Sequence, residues 1–120
     1  MLVEVRDWLA TLLTGYTFQY GAWVESAQDA ATRYCVVQAA GGPVAVVDVR
    51  RPRFRVILLG RRNHREDAEQ VMADAEAVVA ACQGDSLPCH AARVAAGEPA
   101  GPGFTTENRG WASVDIEVIL

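Results

Sequence analysis

The sequence predicts an α+β fold: a mostly antiparallel β-sheet with two α-helices packed on one face. Three observations carry that prediction. Apolar residues recur at helical spacing in two segments, Leu2–Leu13 and the stretch that follows Asn63. Between and after them lie short runs whose apolar residues alternate with a period of two. Hairpin-type turns join such runs without room for a helical crossover, which argues against a doubly wound parallel sheet.

In the first segment Leu2, Val5, Leu9, Leu12 and Leu13 form one stripe, widened by Trp8 and opposed by Glu4, Arg6 and Asp7. Gly15 supplies the stop, because glycine accepts the left-handed conformation that commonly ends helices. Tyr16–Val24 is aromatic-rich and alternating, which predicts a strand. Glu25–Arg33 is small and polar and reads as a loop or short helical turn. Tyr34–Ala40 and Val44–Arg51, joined by Gly41-Gly42-Pro43, read as a hairpin. Pro52 then marks a strand boundary or edge. Beyond it Phe54, Val56 and Leu58 alternate with Arg53, Arg55 and Ile57 up to Gly60.

Asn63 and Glu66 have the spacing of a capping box, and Asp67 and Glu69 suit the positive end of a helix. Ala68, Val71, Met72, Ala75, Val78, Val79 and Cys82 follow as a helical stripe, with Gly84 as the expected cap. The carboxylates of this helix read as a solvent-facing set. Asp85–Pro88 is a connector and Cys89–Ala96 a short strand. Gly97–Gly110 holds two prolines and four glycines, so it reads as a mobile loop. In Trp111–Leu120 the residues Ala112, Val114, Ile116, Val118 and Leu120 alternate with Ser113, Asp115, Glu117 and Ile119. That regularity predicts a strand paired within the sheet and buried on one face.

At 120 residues the chain is expected to form one domain with one core. Its apolar content of 51% is that of a globular protein, and its net charge of −4 is unlike that of a general nucleic-acid binder. The charge is uneven. All eleven basic residues are arginine, and seven of them fall between Arg50 and Arg65. Arg50, Arg51, Arg53, Arg55, Arg61, Arg62 and Arg65 suit phosphates, carboxylates of a neighbouring subunit, or a charge-guarded outer face or edge. The absence of lysine, with abundant alanine, valine, glycine and arginine, fits coding from a GC-rich genome.

Nothing in the residues selects an active site. Of the two histidines, His64 sits in a helix-start loop among arginines, which discourages a cation or a metal, and His90 with adjoining Cys89 lacks the further ligands that a four-coordinate zinc site needs. Cys89 and His90, adjacent on a strand, point to opposite faces and would not meet as nucleophile and base. Cys35, Cys82 and Cys89 form no C-x-x-C motif and read as small apolar residues of a reducing compartment. No phosphate-binding glycine loop and no nucleophile elbow is present. The expectation is no catalytic residue, no metal and no cofactor. Leu2–Leu13 has no signal-type apolar run, and no segment approaches a membrane span, so the protein is expected to stay in a cytoplasm.

Three features together resemble the small tail-terminator and minor tail proteins of long-tailed bacteriophages. They are the helix VEVRDWLATLL, the strand-turn-helix FRVILLGRRNHREDAEQVMADAEAVVAAC, and the loop GEPAGPGFTTENRGW leading into an alternating terminal strand. The resemblance implies a structural role in the virion at the tail–head junction, after assembly in the host cytoplasm. It implies self-assembly into a hexameric ring that caps the tail tube protein and meets the head–tail connector, with no membrane and no specific nucleic acid. A neck, head-closure or minor capsid protein, or a non-viral binding module using the arginine cluster, stays open as an alternative. The contact residues expected on this reading are the seven arginines of the cluster together with Phe104 and Arg109.

Overall fold

The computed structural model of the protein describes residues 2–20, 32–39, 53–84, 93–105 and 108–119. Its elements are α1 (Leu2–Leu12), β1 (Tyr16–Tyr20), β2 (Arg33–Ala39), β3 (Arg53–Leu59), α2 (Asp67–Ala81), β4 (Arg93–Ala96), β5 (Ala100–Phe104) and β6 (Gly110–Ile119). The described strands form one sheet in the order β1-β2-β3-β6-β4. The fifth strand shares with β4 the edge of β6 that β3 leaves open. Every pairing is antiparallel except β1 with β2, which is parallel. This is the α+β architecture that the alternating and helical periods predict. The expected strand Val44–Arg51, its hairpin turn, and the loop and strand residues 21–31 lie outside the described residues. So do Cys89 and His90.

Both helices cover the same sheet face. Val5, Trp8, Leu9 and Leu13 from the α1 segment and Val71, Ala75, Val78 and Cys82 from the α2 segment are buried in one cluster. They meet Cys35 and Val37 of β2, Phe54, Val56 and Leu58 of β3, and Ala112, Val114, Ile116 and Val118 of β6. Period-two burial along β6 therefore holds from end to end, and it sits centrally because it pairs on both edges. Gly15 takes a φ of +85° in the turn between α1 and β1, three residues past the last helical residue, and there adopts the left-handed conformation expected of it. A smaller cluster, Tyr34, Val36 and Leu59 with Ile57 and Trp111, lies on the opposite face, so β2 is buried on both sides.

Burial pushes the Cys35 thiol up to about 12 and the Cys82 thiol up to about 11, which keeps both protonated at neutral pH. Between β1 and α2 the Tyr16 hydroxyl donates to an Asp74 carboxylate oxygen at 2.6 Å. Burial first, and then that bond, raise the phenol above its ordinary range. Tyr16→Phe is expected to cost about 1 kcal/mol, the net value of an ordinary hydrogen bond. A thermal melt reads this as a fall of roughly 4 °C. An unchanged melting temperature would show that the bond adds nothing over hydration.

Two sequence expectations are corrected here. Asn63 does not cap α2. It sits at φ 58°, a left-handed turn residue, whereas a capping residue needs an extended backbone. The chain instead winds into the helix through successive turn bonds, Asp67 N to His64 O at 3.0 Å and Ala68 N to Arg65 O at 3.2 Å. Glu66 occupies the cap position with helical dihedrals and makes no side-chain cap bond. Gly84 is not the terminating residue either, since the cap position at that end is Cys82.

The Gly97–Gly110 stretch is not wholly a loop. Ala100–Phe104 pairs with β6 as a strand that carries a register shift. Glycine makes this possible where it approaches β6 closely. A Cβ on Gly103 would lie 2.5 Å from the Trp111 indole nitrogen, and one on Gly101, at φ +110°, would lie 2.8 Å from the Trp111 carbonyl oxygen. The composition that signals a loop here serves a strand pressed against a tryptophan.

Candidate functional site

The turn from β3 into α2 is built around one carboxylate. Asp67 is only 2% exposed. Its Oδ2 accepts from the Arg61 backbone N–H at 2.9 Å, from Arg61 Nε at 3.0 Å and from Arg33 Nε at 3.3 Å. Its Oδ1 accepts from Nη2 of both arginines at 3.1 Å. Two guanidinium forks thus grip one carboxylate, the geometry that makes arginine–carboxylate pairs strong. The Arg61 guanidinium, with help from Arg33 and the Arg61 amide, holds Asp67 well below the usual carboxylate range, although burial alone would raise it. Gly60 permits the approach, because a Cβ there would lie 2.6 Å from the Asp67 Cβ. Asp67 is therefore an exception to the solvent-facing set expected on α2.

Arg109 lies beside this knot and is fully buried. Its Nη1 donates to the Thr32 and Gly60 carbonyl oxygens, both at 2.8 Å, and its guanidinium carbon sits 5.6 Å from the Tyr34 ring centre. Its backbone exchanges bonds with Thr105, and Gly60 N–H donates to Gly110 O at 2.8 Å. One side chain thus ties the start of β2, the end of β3 and the start of β6. Gly110 lets the helix close over this corner, since a Cβ there would meet the Ala68 backbone at 2.8 Å. The side chain expected as a partner contact is spent inside its own protomer.

Outside the knot the corner is exposed. Arg65 stacks on Phe104 with its guanidinium carbon 3.9 Å from the ring centre, and Phe104 keeps 42% of its surface in solvent. Asn108 Nδ2 donates to Asn63 Oδ1 at 3.3 Å and joins the β5–β6 connection to the β3–α2 turn. Arg62 and His64 are half-buried in the same turn, where His64 Nδ1 lies 2.8 Å from the Arg62 carbonyl. The structure therefore brings Arg61, Arg62, Arg65, Phe104 and Arg109 to one corner, although they come from two separate segments.

Arg53 and Arg55 sit apart from that corner, on the sheet face opposite the helices. They share a face, as the alternation predicts. Their carboxylates come from the next strand of the same chain: Arg55 Nε meets Asp115 Oδ1 at 3.0 Å and Arg53 Nε meets Glu117 Oε2 at 3.5 Å. Each pair is directly opposite in the β3–β6 register. Both arginines remain about half exposed. An open groove of about 340 Å³ borders Arg53 and Glu117 beside Ala95, Ala96 and Gly97, where the chain leaves β6 between β4 and β5. Arg50 and Arg51 lie outside the described residues.

The residues that sequence reasoning missed are Asp67 as a hub and Arg33 as its second partner. The signal for Asp67 was faint: an acidic residue in the first helical turn soon after Arg61 and Arg62. For Arg33, at the far end of another strand, the sequence held none. Among the described residues no three His, Cys, Asp or Glu side chains lie together as metal ligands, and no helix is long and apolar enough to cross a membrane.

Comparison with known families sets this α+β plate, with its arginine corner, among the structural proteins of phage tails. The family described as phage tail termination protein matches residues 1–120, and the chain belongs to it. As a phage tail protein it is a virion component that works with other tail components. A search of curated proteins returns no match.

Proposed function

We propose that this chain, acting as a single domain without catalytic function, caps the tail tube as a closed homo-oligomeric ring of six copies and offers the head connector its docking surface. The observation that carries the reading is the family match along the whole of residues 1–120. Termination needs an assembly that stops growing, and a ring does so because a head-to-tail interface that closes by rotation leaves no free end. The fold suits a subunit of that kind: a sheet braced by two helices on one face, with Arg53, Arg55, Arg62, Arg65 and Phe104 kept at least partly at its surface. Arg61 adds its outer edge, while Arg109 is left out because it is buried. Assembly in the host cytoplasm belongs to the same proposal.

The test combines purified protein with polymerising tail tube protein. Negative-stain images are expected to show rings, free or on tube ends, and tubes that stay short in proportion to the added protein. A strictly monomeric species at high concentration, with no attachment to tubes and no effect on their length, would overturn the proposal.

A further inference from the structure

We infer that the stacked Arg65–Phe104 pair of one copy docks on the outer face of α2 of the next copy, between Glu69 and Glu76. This rests on the ring reading and names the contact that would close it.

The first ground is Arg65 itself. Arg33 and Arg61 are bound to Asp67, Arg55 to Asp115 and Arg53 to Glu117. Arg65 is exposed, and among the described residues its guanidinium meets only the Phe104 ring, at 3.9 Å. Stacking occupies the flat face of the guanidinium and leaves its N–H edge free to donate in plane to a carboxylate. It also holds the side chain in place, which reduces the entropy lost when a partner binds. Phe104 adds a large apolar surface beside the charge, a combination enriched where proteins meet.

The second ground is charge of the opposite sign elsewhere on the same chain. Glu69 and Glu76 are exposed, and neither pairs with a described residue. Two helical turns separate them, roughly 10 Å along one line of α2. Between them lies Ala73, also exposed, whose short side chain leaves room for an aromatic ring. Arg65 and Glu69 are four residues apart but do not pair within the chain, because Arg65 precedes the helix and lies against Phe104. An unpaired cation on an apolar knob and two unpaired carboxylates flanking a small residue are complementary. They are different patches of one molecule, so a contact in which each patch engages a different neighbour runs head to tail, as a ring requires.

Sedimentation velocity with charge reversals tests this. Wild type is expected to assemble, with weaker assembly at high salt. Arg65→Glu, or Glu69→Arg with Glu76→Arg, should each weaken assembly at least about tenfold, equivalent to roughly 1.4 kcal/mol. Phe104→Ala should weaken it less. All three reversals in one chain should restore part of the assembly, because the charges are then exchanged although a carboxylate at position 65 no longer stacks on Phe104. Circular dichroism and melting check that each variant is folded, and Arg65→Gln is the milder substitute should Arg65→Glu not fold. Folded reversals that assemble like wild type, or a folded triple variant that does not recover, overturn this inference and leave the ring reading standing. A wild type that assembles neither alone nor on tail tubes overturns both.

Discussion

Arg109→Ala is expected to destabilise the protein by about 3–4 kcal/mol, the largest effect of any single side-chain truncation at the arginine corner. The change removes both donors to the Thr32 and Gly60 carbonyl oxygens. An acceptor left unpaired in the interior costs about 1–3 kcal/mol, and the buried space vacated by the long side chain adds a cavity cost. For a chain of this length the melting temperature should fall by roughly 12–16 °C. Arg109→Met separates the two contributions, since it keeps most of the volume and loses only the donors; about 2 kcal/mol of loss is expected. Differential scanning calorimetry checks both. An alanine variant melting within about 3 °C of wild type would mean that water replaces the guanidinium without cost.

Asp67→Asn should cost about 2–3 kcal/mol at neutral pH. Removing one member of a buried ion pair usually costs about 3–5 kcal/mol. The value here is lower because Arg33 and Arg61 stay roughly one-third exposed, so water takes up part of their lost solvation. The pH dependence has a definite sign. Arg61 above all, with Arg33, depresses the Asp67 pKa in the folded chain. The folded state therefore holds this proton less tightly than the unfolded state does. The resulting stabilisation is fully present above the unfolded value of about 3.9 and is lost as pH falls through the folded value below it. Urea unfolding of wild type and variant across pH 7 to 2 should show a constant gap down to about pH 4 and a narrowing gap below it. A gap that stays constant to the lowest pH would mean that the carboxylate is not held by its arginines.

Both variants probe the corner that carries the proposed contact, and they separate fold from function in opposite directions from the charge reversals. Arg109 and Asp67 lie under that corner, so their loss lowers stability. Arg65, Glu69 and Glu76 lie on the surface, so their reversal should spare the melt and change assembly. If the Asp67 knot also orients the turn that presents Arg65, Asp67→Asn should weaken ring formation even where the protein remains folded.

The elements with strong periodicity are legible in the sequence. Alternation in Phe54, Val56 and Leu58 and in Ala112, Val114, Ile116 and Val118 named the buried face of β3 and β6, and the stripe from Ala68 to Cys82 named that of α2. The N-terminal boundary of α2 was not legible. Asn63 suits a helix cap and a left-handed turn equally well, and in the folded chain it takes the turn, where its Oδ1 accepts from Asn108 Nδ2. Likewise Gly101 and Gly103 spell a loop by composition, and only Trp111 beneath them turns that composition into a strand. The arginine cluster was visible as a cluster, but its division into a paired sheet face, a carboxylate knot and an exposed stack was not.

By itself the sequence determined which residues face the core, where the charge concentrates, and that regular elements pack as helices on a sheet. These follow from periods of two and of 3.6, which neighbours along the chain create without help. Tertiary structure alone decided which arginines are used up and which stays available. Asp67 reaches Arg33 across strands, Arg109 turns inward to the ends of three strands, and Arg65 lies flat on a ring from a segment 39 residues away. Side-chain hydrogen bonds and stacking act through space over a few ångströms, and separation along the chain carries no record of them.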